Sequence, residues 1–140
     1  MRRIARNLTF QVLLAVSTGV LLGVLAPEAL LQSGDSLRRW VDGRWPGAIW
    51  RREISIDALI PAGAGARRVS GTIALLLETA NGVVVIDHKS YPRAMNTWRE
   101  KAATFAPQLA AYSEALTRAG KTVSERWVSF AVAGGAVRIG

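Results

Sequence analysis

Asp87 and Lys89 are the residues of this sequence best suited to chemistry. They stand two positions apart at the end of the apolar run 83–86, which is typical of a buried strand. Side chains two apart in a strand leave the same face, so an acid and an ammonium group would point into one place. Burying both is costly unless they pair, bind a metal ion or line a cleft. An exposed strand end with a weak ion pair remains an alternative interpretation.

Position 74 is where a second carboxylate would complete such a site. Asn81-Gly82 between two apolar runs predicts a β-hairpin. If the connection of the hairpin contains two or four residues, the residue numbers of each opposing pair add up to an odd number. An even-numbered position such as 74 then lies opposite an odd-numbered one and shares the face of Asp87 and Lys89. An acid there would give a site with two carboxylates and a lysine. The sequence has Ala74 instead.

Composition excludes several other classes of site. The chain of 140 residues has no cysteine and a single histidine, His88. Zinc fingers, disulfide frameworks, thiol nucleophiles and multi-histidine metal sites are therefore excluded, and a Ser-His-Asp triad has almost no room. Any acid, base or metal chemistry must come from carboxylates and lysine. The formal net charge of +8 favours a polyanionic partner, either nucleic acid or an anionic membrane surface.

Hydrophobic periodicity predicts a mixed α/β sheet that follows a short amphipathic helix. Turn signals divide the chain into a strand, a hairpin, a long helix and two final strands. The predicted boundaries are a helix at 29–45, strands at 50–60, 69–77 and 83–89, a helix at 98–119 with a kink at Pro107, and strands at 127–132 and 136–139. The segment 62–68, rich in Gly, Ala and Arg, is expected to be a loop.

The N-terminal stretch 8–26 contains 19 residues without a charge and follows Arg2, Arg3 and Arg6. Three interpretations stay open: a transmembrane or signal-anchor helix, a cleaved signal peptide, and a buried helix of a soluble fold. Residues 8–28 also resemble the first membrane helix of dicarboxylate and glutamate:cation symporters. We therefore expect an apolar N-terminal helix at 1–28, membrane-type or buried, ahead of a domain at 29–140.

Several segments resemble, in order and spacing, the signature of PD-(D/E)XK nucleases of the RecB-like group. The similarity is closest to the C-terminal nuclease domain of AddA-type helicase-nucleases and covers about residues 24–140. The segments that carry it are Gly71-Thr72-Ile73-Ala74, Val84-Val85-Ile86-Asp87-His88-Lys89-Ser90, Gln108-Leu109-Ala110-Ala111-Tyr112, an incoming strand with Trp50 and Glu53, and the tail Trp127-Val128-Ser129-Phe130 with Gly134-Gly135-Ala136-Val137-Arg138. The resemblance implies a restriction-endonuclease-like fold for this region.

The resemblance also implies hydrolysis of DNA phosphodiesters by two Mg²⁺ (or Mn²⁺) ions. Asp87 would then be a metal ligand, with the backbone carbonyl of His88 as a further oxygen ligand. Lys89 would orient the attacking water and offset negative charge in the transition state. Gln108 and Tyr112, four apart on one helix face, would hold the site or the DNA backbone.

Less specific candidates surround this set. Glu53 is a possible accessory carboxylate, with a plain strand-end role as the alternative. The candidate phosphate contacts are six arginines, although a single arginine of this kind is more often simply solvated: Arg51, Arg52, Arg67, Arg68, Arg93 and Arg99. Among the tryptophans, Trp98 is expected to be the most exposed.

One departure from the family determines the activity that we expect. Family members carry Asp at the position of Ala74, and without that ligand metal binding should weaken and turnover should fall by orders of magnitude. We therefore expect a cytoplasmic Mg²⁺-dependent DNA nuclease domain that acts with a helicase in DNA break repair, with impaired catalysis. The alternatives are a non-catalytic DNA- or helicase-binding module, and a small protein anchored in the inner membrane through residues 8–26.

Overall fold

The computed structural model describes residues 27–91, 95–132 and 134–140. Helix α1 (Pro27–Arg44) is followed by strands β1 (Ile49–Ala62), β2 (Gly65–Thr79) and β3 (Gly82–Lys89). A 3-10 turn (Met95–Thr97) leads into helices α2 (Trp98–Ala103) and α3 (Ala106–Arg118). Strands β4 (Val123–Phe130) and β5 (Gly135–Ile139) come after them.

The strands form one five-stranded mixed sheet in the order β1-β2-β3-β4-β5. Neighbouring strands are antiparallel except β3 and β4, which run parallel. A parallel pair needs a crossover connection, and α2 and α3 lie in the segment that makes it. The prediction of a mixed α/β, restriction-endonuclease-like sheet is confirmed.

Strand β3 is buried on both faces because helices cover both sides of the sheet centre. Val83 and Val85 belong to a core that includes the buried face of α3. Val84 and Ile86 belong to a second core, which includes Val41 of α1. This double coverage explains why the strand reads as a continuous apolar run.

Strand β2 changes the face that it buries at Ala74. Leu75 and Leu77 lie in the core beneath α1, whereas Ile73 and Val69 lie in the core beneath α3. All four positions are odd, so simple alternation would put them on one face. The two-stranded ribbon formed by β1 and β2 therefore twists at Ala74. The distal half of the ribbon, which is the half nearer the turn at Gly63 and Ala64, covers the α3 side of the sheet.

Strand β1 turns over at the matching position. Trp50 packs against the α1-side core, while Ile54 and Ile56 pack against the α3-side core. Between them Glu53 has φ 52, in the left-handed region that side chains other than glycine seldom adopt. A residue in the left-handed conformation rotates the side chains that follow it to the other face of the strand, which accounts for the change of face.

The segment predicted as a loop at 62–68 is mostly strand, so that prediction is wrong. Strand β2 begins at Gly65, and only Gly63 and Ala64 form the turn. Gly63 supplies the required left-handed residue, with φ 57. The Gly- and Ala-rich composition suggested a loop, but the ladder between β1 and β2 continues to the turn.

The predicted helix at 98–119 is divided into two helices, α2 and α3, rather than kinked. Backbone N–H groups of Thr104 and Phe105 donate to Lys101 and Ala102, three residues back, which ends α2 in a tight turn. Pro107 then lies in the first turn of α3, where a missing N–H costs nothing. The fourth strand also begins earlier than predicted, at 123, because it pairs with β3 along that strand's whole length.

Most predictions for the N-terminus fall outside the described residues. The apolar stretch 8–26 precedes the first of them, so the membrane-type and buried interpretations stay predictions. Over 27–91, 95–132 and 134–140, no helix combines the length and apolar character required to cross a bilayer.

Candidate active site

Asp87 and Lys89 come together at the end of β3. Lys89 Nζ lies 3.0 Å from Asp87 Oδ2, so both side chains leave the α3 face of the strand. Only 7% of Asp87 is exposed, because β3 lies between β2 and β4 at the sheet centre. Lys89 Nζ also lies 4.5 Å from the centroid of the Phe105 ring, in the turn between α2 and α3. Phe105 is a neighbour of the site that the sequence did not indicate.

The Asp87 carboxylate is poorly satisfied for a buried group. Oδ2 is inaccessible to solvent and has no hydrogen-bond donor within the described part of the chain. The Lys89 ammonium is close enough for an ion pair, but its approach does not meet the angular requirement of a hydrogen bond. Buried carboxylates normally accept hydrogen bonds, and exceptions concentrate at functional sites.

Ala74 is the first residue of β2 beyond its ladder with β3. The ladder runs from Thr79 opposite Gly82 to Leu75 opposite Ile86, so the connection has two residues. Continued by one position, this register sets Ala74 against Asp87. Beyond that point β2 pairs only with β1, and β3 pairs only with β4. The last described pair of the two strands, Leu75 with Ile86, therefore lies one position short of Ala74 and Asp87.

Glu53 occupies the same level of the sheet one strand further out. The β1–β2 register pairs Arg52 with Leu75 and Ile54 with Ile73, which sets Glu53 opposite Ala74. Its side chain is exposed, and no hydrogen bond or ion pair to it occurs among the described residues. Glu53 and Ala74 are thus opposite each other on β1 and β2, one position beyond the last pair of β2 with β3.

His88 leaves the opposite face of β3, and its side chain is half-buried with no hydrogen-bond partner for Nδ1 in the described ranges. Burial lowers the pKa of His88, and the Arg52 guanidinium lowers it further. The charges of Asp87 and Glu53 act in the other direction without reversing the shift. The sequence predicted a role only for the backbone carbonyl of His88, and it indicated Arg52 as a candidate phosphate contact rather than as a neighbour of His88.

Gln108 and Tyr112 contact each other on α3. Gln108 Nε2 donates a hydrogen bond of 2.9 Å to Tyr112 Oη, and Tyr112 is only 4% exposed. The Tyr112 hydroxyl lies against Gly71 of β2, where a β-carbon would overlap it. No described hydrogen bond links either residue to Asp87 or Lys89. The pair thus holds α3 against β2 at Gly71, a residue of the Gly71-Thr72-Ile73-Ala74 segment whose contact with Tyr112 the sequence did not predict.

The candidate phosphate contacts are dispersed. Arg68 makes a paired interaction with Asp57, with Nε and Nη2 at 2.8 and 2.7 Å from the two carboxylate oxygens. Hydrogen bonding to Arg68 lowers the pKa of Asp57, and the same contact raises the pKa of Arg68. Arg67 is exposed near the hairpin turn and Arg99 is exposed on α2. Arg93 lies outside the described residues.

Trp98 is less exposed than expected. Its ring is half-buried and packs 5.6 Å, centroid to centroid, from the ring of Phe130. A β-carbon at Gly135 would overlap it, so the absence of a side chain in β5 makes room for the indole. The expectation of an exposed Trp98 is wrong because the start of β5 packs over it.

The donor set around Asp87 does not fit a two-metal centre. Within the described ranges no three side chains of the His, Asp or Glu type are grouped so that they could hold a metal ion. Mg²⁺ prefers several oxygen ligands in an octahedral arrangement. Asp87 supplies one carboxylate, an ammonium group already lies 3.0 Å from it, and Ala74 supplies no ligand.

Comparison with protein families and curated proteins places this geometry in context. The family model of the PD-(D/E)XK nuclease superfamily matches residues 18–139. No curated protein matches the chain. The match spans all five strands and the Asp-x-Lys end of β3 at which acid and ammonium meet, and the chain belongs to the PD-(D/E)XK nuclease superfamily.

Proposed function

We propose that this domain binds DNA as a nuclease of the AddA/RecB type does, at DNA breaks and beside a helicase, with strongly impaired hydrolysis. The observation that supports the proposal is the β2–β3 register, which ends at Leu75 and Ile86 and, if continued by one position, would bring Ala74 opposite the buried Asp87. A methyl group stands where a second acid would face the first. The positive charge of Lys89 is held at the same place, suited to an anionic substrate.

Impaired hydrolysis follows from the chemistry of the ligands. Two-metal hydrolysis requires carboxylates that hold both ions against the attacking and leaving oxygens. One buried carboxylate, already paired with an ammonium group, is a weak site for a divalent ion. Binding of the DNA backbone does not depend on that second acid, so recognition can persist where cleavage is slow.

The assignment to the AddA/RecB type rests on Gln108 and Tyr112. The hydrogen bond between them, on the helix that follows the Asp-x-Lys strand, supports the resemblance to that group. A helicase partner and a role in break repair follow from the same resemblance. Such a role implies a cytoplasmic location. Cell fractionation would distinguish a cytoplasmic protein from one anchored in the inner membrane through residues 8–26.

The experiment is restoration of the second acid by Ala74→Asp. We expect little cleavage of linear DNA by the wild-type chain with Mg²⁺ or Mn²⁺, and a gain on the order of 100-fold in the variant, since even indirect ligand supports change activity by that much. Removing the other carboxylate, in Ala74→Asp with Asp87→Ala, should abolish the gain.

Two results would contradict the proposal. Brisk Mg²⁺-dependent cleavage by the wild-type chain would show that Ala74 does not impair the site. A folded, DNA-binding Ala74→Asp variant with no gain would show that position 74 does not share a site with Asp87. Ala74→Asn is the matched control, since it has the size of Asp without the charge.

A further inference from the structure

Two ammonium groups converge on the ring of Phe105. Lys89 Nζ lies 4.5 Å from the ring centroid and Lys101 Nζ lies 5.5 Å from it. Lys101 Nζ is also 5.6 Å from the centroid of the Tyr91 ring. The chain has three lysines, and two of them meet at this ring beside Asp87. We call Lys89, Lys101, Tyr91 and Phe105 the lysine–aromatic cluster.

The lysine–aromatic cluster has positive charge in excess. Asp87 is the carboxylate in contact with it, and that acid is paired with Lys89. Lys101 contacts aromatic rings, and no carboxylate lies within ion-pair distance of it among the described residues. Five arginines differ in this respect, since each has an acid partner: Arg44 and Arg138 with Glu125, Arg51 with Glu78, Arg68 with Asp57, and Arg118 with Glu114.

Aromatic rings hold a cation without cancelling its charge. The face of Phe or Tyr attracts an ammonium group through its quadrupole, which fixes the position of the group and leaves its net charge intact. A carboxylate partner would fix the position and neutralise the charge. Lys101 is half-buried, so its charge is both held in place and open to a ligand.

Two ammonium groups at one ring suit an anionic ligand. Lys89 and Lys101 both contact the Phe105 ring, so two positive charges lie around it, and a phosphodiester presents two non-bridging oxygens to cationic donors. We propose that Lys101 and Lys89 together bind a backbone phosphate of DNA without a divalent cation. This proposal rests on the proposed function and adds to it a phosphate-binding residue, Lys101, on α2.

The test measures the affinity of the full chain for labelled linear DNA in the presence of a chelator. Lys101→Met removes the charge and keeps a long, helix-compatible side chain. We expect it to weaken binding about tenfold, as for loss of a charge-assisted hydrogen bond. The slope of log affinity against log salt should fall by about 0.9, which corresponds to one lost phosphate contact on duplex DNA. Lys101→Arg, which keeps the charge, should restore most of the affinity.

Lys121→Met is the matched control because Lys121 is the remaining lysine and is exposed. It precedes β4 at the end of the sheet where β3 begins, whereas Lys89 lies where β3 ends. We expect wild-type affinity from this variant. Thermal unfolding of each variant checks that lost binding does not reflect lost folding.

The outcomes separate this inference from the proposed function. If the wild-type chain binds no DNA with or without Mg²⁺, the proposed function is overturned and the phosphate site with it. If wild-type binding is firm but Lys101→Met behaves like Lys121→Met, only the phosphate site is overturned. Binding that disappears on chelation of metal would also overturn it, because the site is proposed to work without a divalent cation.

Discussion

Two carboxylates of the same sheet, the partly buried Glu125 and the buried Asp87, differ in the hydrogen bonds that they accept. Glu125 of β4 lies on the α1 side among tryptophans, and its oxygens accept hydrogen bonds from three side chains. Trp127 Nε1 donates at 2.9 Å, Arg44 Nη2 at 3.2 Å and Trp45 Nε1 at 3.4 Å. The rings of Trp45 and Trp127 meet Trp40 of α1 edge to face. Glu125 thus connects α1 to the sheet.

Asp87 is the more buried of the two acids and the less satisfied. Its Oδ2 has an ammonium group at 3.0 Å and no hydrogen-bond donor among the described residues. Packing alone gives no reason to keep a charge in such a place, because an apolar residue would fill it at lower free energy. The proposed function accounts for this contrast: Glu125 would stabilise the fold, and Asp87 would serve the proposed DNA site.

The largest expected effect is on the stability of the Glu125 region. Glu125→Gln replaces one acceptor oxygen by an NH₂ group that faces the donors of Trp127 and Arg44. We expect the free energy of unfolding to fall by about 2 kcal/mol, because buried donors lose their acceptor. Urea unfolding followed by tryptophan fluorescence measures the change directly, since three indoles lie at this site.

Glu114→Gln provides the matched control for that prediction. Glu114 pairs with Arg118 one helical turn away, and both side chains are nearly half exposed. Such exposed pairs contribute at most about 0.5 kcal/mol. Equal losses in Glu125→Gln and Glu114→Gln would remove the distinction between the satisfied acid and an ordinary surface acid.

A smaller effect should appear in the pH dependence of stability. Burial raises the pKa of Glu125, but hydrogen bonds from Trp127, Arg44 and Trp45 and the Arg44 charge outweigh it, so the pKa lies below the ordinary value of 4.5. A carboxyl group whose pKa is lower in the folded state than in the unfolded state stabilises the fold at pH values above its unfolded-state pKa. This contribution is lost as the pH falls through the folded-state pKa.

The measurement compares unfolding free energies of wild type and Glu125→Gln from neutral pH downward. We expect the difference between them to be constant above the ordinary glutamate pKa and to shrink below it. A difference that persists unchanged at acidic pH would mean that the Glu125 charge contributes nothing, and that its hydrogen bonds act as those of a neutral group.

The local part of the site could be predicted from the sequence. Alternation along β3 placed Asp87 and Lys89 on one face, and the turn signal at Asn81 and Gly82 set the register that relates them to Ala74. These inferences need only a few neighbouring residues and one hairpin. The overall mixed sheet was predictable for the same reason, since each element carries its own periodicity.

The sequence could not predict which face of the distal half of the β1–β2 ribbon is buried, because that depends on contacts with residues far away in the sequence. A left-handed glutamate at Glu53 is not favoured by its own sequence, and it persists because both β1 and β2 change cores at that level. Composition around Gly63 and Gly65 also suggested a loop where a ladder continues.

The aromatic neighbours of the site were missed for a similar reason. Phe105 reaches Lys89 because the chain forms a tight turn between α2 and α3, and the sequence predicted there only a kink at Pro107. Lys101 and Phe105 are four apart, and their placement against β3 depends on how α2 packs across the sheet. Helical spacing alone carries no information on that packing.

The smallest expected change in stability comes from Asp87→Asn, and it completes the comparison. The substitution keeps the shape of the side chain and removes a charge that accepts no described hydrogen bond. Lys89 loses its ion pair, but 28% of its side chain is exposed, so water can solvate the ammonium group. We expect the free energy of unfolding to change by less than about 1 kcal/mol, because loss of the pair and relief of a buried charge oppose each other.

DNA affinity should rise in the Asp87→Asn variant although its stability changes little. With the negative charge of Asp87 removed, Lys89 and Lys101 face the phosphate without an opposing acid, so Asp87→Asn should bind DNA more tightly in the presence of chelator. A loss of stability as large as that of Glu125→Gln, with unchanged DNA affinity, would make Asp87 a structural acid like Glu125. In that case the unsatisfied oxygen would need a structural explanation, and the contrast between the two carboxylates would no longer indicate a site.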